Sequence, residues 1–254
     1  MLATAWDQVA FSTTASPAGA ALEECALRWL AELLGLPRAS GGALVTGATM
    51  ANLSGLAAAR HALLDRLGWD VESRGLFGAP TVHVHLGAEA HPAVRKALGL
   101  LGLGRDRVHT LPADAEGRIR VDALPALEAP AIVCAQAGNV NSGASDPFPA
   151  LRAWCDTEKA WLHVDGAFGL FAAASPRLRA RIEGVEAADS WATDAHKWLN
   201  VPYDCGIVFD RSTPSCAVRR RRIDSWKSSR SGSTGPRRGL ASGGLRPRAP
   251  PCQS

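Results

Sequence analysis

The sequence predicts an α/β fold, a mostly parallel sheet flanked by helices, and three observations carry that prediction. Short apolar runs that do not alternate, such as Ile132-Val-Cys-Ala135 and Trp161-Leu-His-Val164, read as strands buried on both faces. Amphipathic stretches at helical spacing separate these runs, the order expected of strands joined by covering helices. The 254 residues are 46% hydrophobic, enough for a substantial core.

Each element has its own signal. From Ala18 to Leu34, residues Leu22, Cys25, Ala26, Trp29, Leu30 and Leu33 recur on one helical face, and Gly35 can end the helix. Gly42–Thr46 reads as a short strand, followed by a turn and a helix from about Met50 to Leu67. Further strands are expected at Thr81–His85, Val108–Leu111, Ile132–Gln136, Trp161–Val164, Ser190–Thr193 and Gly206–Phe209. Helices are expected at Pro92–Leu101, Val121–Leu127 and Pro147–Thr157. Ligands of such sheets sit at the carboxyl ends of the strands. That rule puts Thr46-Gly47-Ala48-Thr49, Asp165 and Lys197 on one rim.

Charge divides the chain. Residues 1–210 carry 17 basic and 23 acidic side chains, a net of −6, whereas residues 211–254 carry 11 and one, a net of +10. The first region is expected to be a folded, mildly acidic domain. The second is an Arg/Ser/Pro/Gly-rich tail in which Val218, Ile223, Trp226, Leu240 and Leu245 are too few to build a core, so disorder is expected there. Its arginines would make salt-dependent, non-specific phosphate contacts, but no interleaved aromatic pattern accompanies them, so no specific nucleic-acid partner is expected. The six cysteines show neither a C-x-x-C pair nor metal-ligand spacing, which reads as reduced thiols and no metal. No basic and apolar leader opens the chain and no apolar run reaches membrane-spanning length, so a cytoplasmic protein is expected.

The chemistry concentrates in four segments. Lys197, in His196-Lys197, lies thirty-two residues after Asp165, which closes the apolar run Trp161–Val164. A lysine that condenses with an aldehyde and an aspartate that keeps a pyridine nitrogen protonated are what a pyridoxal-phosphate site needs. Otherwise Asp165 is a strand-end carboxylate capping a turn and Lys197 a surface lysine. Thr46-Gly47-Ala48-Thr49 follows a strand and opens a helix, where backbone N–H groups and the helix dipole favour a phosphate; the plain reading is a capped helix start. His91 precedes the helix at Pro92, placed to cover a flat ring and to move protons, or else exposed to water. Ala167 is small enough to lie against a ring's other face. Trp198, Leu199 and Val201 are expected to bury Lys197, while His61, His83, His85 and His109 read as water-exposed.

Together these segments resemble the group II pyridoxal-phosphate-dependent amino-acid decarboxylases, relatives of the glutamate, aromatic-amino-acid and diaminobutyrate decarboxylases. The most specific stretch runs from Asp189 to Phe209: Ser190 and Trp191, five residues, Lys197, two apolar residues, and Cys205 eight positions after the lysine, with Arg211 as the closing basic residue. Asp7-Gln8, Ser16-Pro17 through Glu23-Glu24, and Gly35-Leu36-Pro37 are similar to that family's N-terminal region. Gly47–Asn52 is similar to its phosphate turn and Gly138–Gly143 to its mid-domain loop.

The resemblance implies the large domain of fold-type-I pyridoxal-phosphate enzymes and decarboxylation of an L-amino acid through a Lys197 Schiff base. It implies Asp165 on the pyridine nitrogen, His91 stacked on the ring with a catalytic role, Ala167 opposite, Ala48 and Thr49 on the phosphate, and His196 beside them. A homodimer is implied as well. The likeness stops at Arg211, where the family continues into a mobile loop and a small C-terminal domain, and Tyr203 is the sole tyrosine. A truncated form is therefore expected, its tail of the kind a frameshift in a GC-rich gene would produce. Transamination or desulfuration on the same fold, and a catalytically inert product, are the alternative outcomes.

Overall fold

The computed structural model describes residues 14–211. The Asp7-Gln8 segment and the tail from residue 212 lie outside the described residues. Seven strands form one sheet: β1 (Gly41–Val45), β2 (His83–Gly87), β3 (Val108–Leu111), β4 (Ala131–Gln136), β5 (Trp161–Asp165), β6 (Ser190–Asp194) and β7 (Gly206–Asp210). Their order is β1-β7-β6-β5-β4-β2-β3. The five strands from β6 to β3 run parallel, and β7 is antiparallel to both of its neighbours. The mostly parallel sheet read from the unalternating runs is therefore present.

Helices cover both faces. They are α1 (Pro17–Leu33), α2 (Ala48–Asp65), α3 (Val71–Arg74), α4 (Pro92–Leu100), α5 (Phe148–Thr157) and α6 (Ala195–Trp198). On one face Leu56, Ala59 and Leu63 of α2 and Val94, Ala97 and Leu98 of α4 pack on Val84, Leu86, Ile132 and Trp161. On the other, Phe148, Leu151 and Cys155 of α5 join Leu34, Val133, Leu162, Val164, Trp191 and Phe209. Leu56, Ile132, Leu162 and Trp191 are among the residues with no exposed surface, each worth roughly 1.5–3 kcal/mol of burial.

Four expectations need correction. The face that α1 packs inward is Leu27, Leu30, Ala31 and Leu34, while Leu22, Trp29 and Leu33 stay exposed; periodicity gives an apolar stripe but not which edge of it meets the sheet. The helix expected at Val121–Leu127 is a single 3₁₀ turn, Val121–Ala123. Pro125 has no N–H to donate and biases Leu124, at ψ 128°, away from helix. β2 lies two residues later than expected, because its pairing with β4 begins at His83. His85 is not water-exposed: its ring is buried between strand and helix. Among the described residues Cys25, Cys134, Cys155 and Cys205 are free thiols, no metal-binding cluster occurs, and no helix is long and apolar enough to cross a membrane.

Candidate active site

The carboxyl ends of β1, β4, β5 and β6 open on one cleft of about 390 Å³. Ala48, Thr49, His91, Asp165, Ala167, His196 and Lys197, all expected to be functional, line it together. The flat order of strands explains the convergence: each of these residues sits just past a strand end or at a helix start, on the same rim.

The turn after β1 depends on two glycines. Gly47 has φ +116°, where a side chain would be strained. Gly206 opens β7 directly against the Gly47 backbone, leaving no room for a Cβ. With β7 that close, the first N–H of α2 is brought over β6. The Ala48 N–H donates to Asp194 Oδ1 at 2.6 Å, a charge-assisted bond at the positive end of an eighteen-residue helix.

Asp194 is the residue sequence reasoning missed. Its other oxygen, Oδ2, lies 2.8 Å from Lys197 Nζ, so one carboxylate joins the turn to the lysine. It is buried, as its place at the end of β6 requires, and the lysine neutralises a charge that would be costly alone. The ammonium also sits 4.1 Å from the centroid of the Phe168 ring. The expected burial of Lys197 by Trp198 and Leu199 does not occur: both are exposed. Phe168, from the loop after β5, supplies the aromatic neighbour instead. His196 Nδ1 stands 3.0 Å from the Cys205 carbonyl, and its ring lies 4.3 Å from that of Tyr203.

Asp165 ends β5 and is buried; burial pushes its carboxyl above the ordinary carboxylate range. The Ala167 N–H, donating at 3.1 Å, opposes that rise, as do the Asn52 side chain and the positive charge of Lys197. A protonated ring nitrogen in the cleft would satisfy this carboxylate. His91 is exposed at the mouth and caps α4: its Nδ1 accepts from the Ala93 N–H at 3.2 Å, which leaves the ring proton on Nε2. The cleft thus offers an anion seat at a helix start, an amine and a buried carboxylate, a donor set that fits pyridoxal phosphate.

Comparison with known proteins agrees with this chemistry. Residues 1–216 match the model of the pyridoxal-dependent decarboxylase conserved domain. The chain is 34% identical to tryptophan decarboxylase 1 of Oryza sativa subsp. japonica, over 84% of this chain and 45% of that protein. It is 36% identical to an aromatic-L-amino-acid decarboxylase of Bacillus atrophaeus, over 79% and 42%. The crystal structure of mouse CSAD superposes with a TM-score of 0.74 at 27% identity, covering 84% of this chain and 46% of that one. Oryza sativa TDC with PLP and tryptamine superposes at 0.72 and 31% identity, covering 84% and 46%. This chain belongs to the pyridoxal-dependent decarboxylase family, and it spans about half the length of the relatives it matches.

Proposed function

We propose that the chain is the cofactor-binding large domain, over residues 1–210, of a cytoplasmic pyridoxal-phosphate-dependent carboxy-lyase acting on an L-amino acid. The single observation that carries this reading is the shared cleft of Asp165 and Lys197 beside the start of α2. When bound, the cofactor supplies an aldehyde that captures amines and a ring that accepts an electron pair. Lys197 is the amine that holds that aldehyde. Asp165, buried and accepting the Ala167 N–H, is oriented to keep the ring nitrogen protonated. Ala48 and Thr49 would hold the phosphate at the helix start, with His196 beside them. His91 would cover the ring and offer its Nε2–H for proton transfer, and Ala167 would leave room for the ring. The relatives named for tryptophan, other aromatic amino acids and 2,4-diaminobutyrate define the substrate range to test. The exposed apolar residues of α1 fit a second subunit, and the free thiols fit a reducing compartment.

The test is borohydride reduction of the protein mixed with pyridoxal phosphate, followed by peptide mapping. The expected label lies on Lys197 and vanishes in Lys197→Ala. A folded chain that takes no label at Lys197 refutes the reading and leaves an inert product.

A further inference from the structure

Behind Asp165, away from the cleft, four polar side chains from three elements form an unbranched row. Trp161 Nε1 lies 2.8 Å from Ser190 Oγ, Ser190 Oγ 2.7 Å from His163 Nδ1, and His163 Nε2 2.8 Å from Asn52 Oδ1. Asn52, His163 and Ser190 have no exposed surface. Their burial makes the donor of each bond deducible. An indole N–H can only donate, so Ser190 Oγ accepts from Trp161, and with no other acceptor for it among the described residues its one hydrogen goes to His163 Nδ1. His163 must then carry its own proton on Nε2 and donate to Asn52 Oδ1. That fixes the Asn52 amide with its NH₂ turned the other way. Asn52 Nδ2 is buried and has no hydrogen-bond partner among the described residues. The Asn52 side chain interacts with Asp165 and favours the charged carboxylate.

We propose that Trp161, Ser190, His163 and Asn52 form a one-way hydrogen-bond relay that presents the Asn52 amide to Asp165 and supports that carboxylate as an anion. Asn52 is accordingly a positioning residue, and its importance for a cofactor rests on the reading of Asp165 given above. Two further features fit. Burial lowers His163 to about 3, so it stays neutral and keeps a single proton to donate. Gly55, one turn after Asn52 on α2, leaves the space the imidazole fills; a Cβ there would stand 2.8 Å from His163 Cε1. The other titratable groups near Asp165 are His91 and Lys197 on the cleft side and Cys134 on β4, whose thiol burial pushes to about 12 and keeps neutral.

The experiment titrates Asp165 by carbon-13 NMR of its labelled carboxyl in the full chain prepared without cofactor, with Asp165→Asn for assignment. Asn52→Leu is expected to raise the midpoint by about one pH unit, a tenfold gain in proton affinity. Ser190→Ala, which never touches Asp165, is expected to raise it by a smaller amount in the same direction through His163. It is also the variant to use if Asn52→Leu does not fold. A midpoint unchanged in folded Asn52→Leu, or unchanged in Ser190→Ala where that alone folds, overturns the relay. Borohydride labelling of the same variants separates the two readings. If Lys197 takes no label but the midpoints still move, the cofactor reading fails and the relay stands.

Discussion

His163 and His85 lie two strands apart in one sheet, both buried and both held neutral, yet their surroundings are opposites. His163 on β5 has a partner on each ring nitrogen. His85 on β2 has none among the described residues for either nitrogen; its ring stacks on His109 at 4.7 Å and meets the edge of Trp154 at 5.6 Å. Burial lowers the first to about 3 and the second to about 4. Depressed basicity therefore does not identify a working histidine. What separates them is wiring: one imidazole converts its neutrality into a directed donor beside Asp165, and the other carries an unrecovered desolvation cost.

Substituting each ring sharpens this contrast most. His163→Leu strands the Ser190 hydroxyl hydrogen and Asn52 Oδ1 in the core, and should lower unfolding free energy in urea by about 3–5 kcal/mol. His85→Leu removes two unpaired nitrogens and is expected to fall within about 1 kcal/mol of the parent, on either side of it. Equal losses would erase the distinction.

Acid comes next in size. A histidine whose folded value lies below its unfolded 6.5 contributes stability that is complete above 6.5 and is lost as pH falls toward the folded value. Going from pH 8 to pH 5, His163 alone should therefore remove about 2 kcal/mol. His85, whose folded value of about 4 also lies below that range, should add a loss of about the same size, with the nearby Glu128 opposing its shift. Urea midpoints across that range should flatten by comparable amounts in a folded His163→Gln and a folded His85→Gln.

Gly55→Ala is the smallest wedge. Alanine gains about 1 kcal/mol of helix propensity over glycine, but its methyl would press on His163, and overpacking costs about 1–3 kcal/mol. A net loss of about 1 kcal/mol is expected by thermal melting. A net gain would mean the imidazole moves aside at no cost and is less firmly held than its hydrogen bonds imply.

Strands β4 and β5 were legible because fully buried parallel strands write themselves as continuous apolar runs, and the rim residues followed from strand ends. Lys197, Asp165 and Thr49 were found by that logic together with the signature around Ser190 and Cys205. The packed face of α1 was not legible, since Leu22 and Leu27 look alike until a sheet is set beside them. Pro125 could have cancelled the false helix at Val121–Leu127. Asp194 had one usable signal, an acid three residues before a lysine on a short helix. Asn52 and His163 had none, because a relay assembled from α2, β5 and β6 joins residues 111 positions apart.

Asp194 occupies the Ala48 N–H with one oxygen and the lysine with the other. The chain thus brings its own anion to the helix start, tethered three residues from Lys197. Any phosphate seeking that position enters a contest with an intramolecular rival, whose effective concentration no dilution can reduce. Binding there is an exchange of ligands, and its strength measures how much better a phosphate is than the carboxylate it must outcompete.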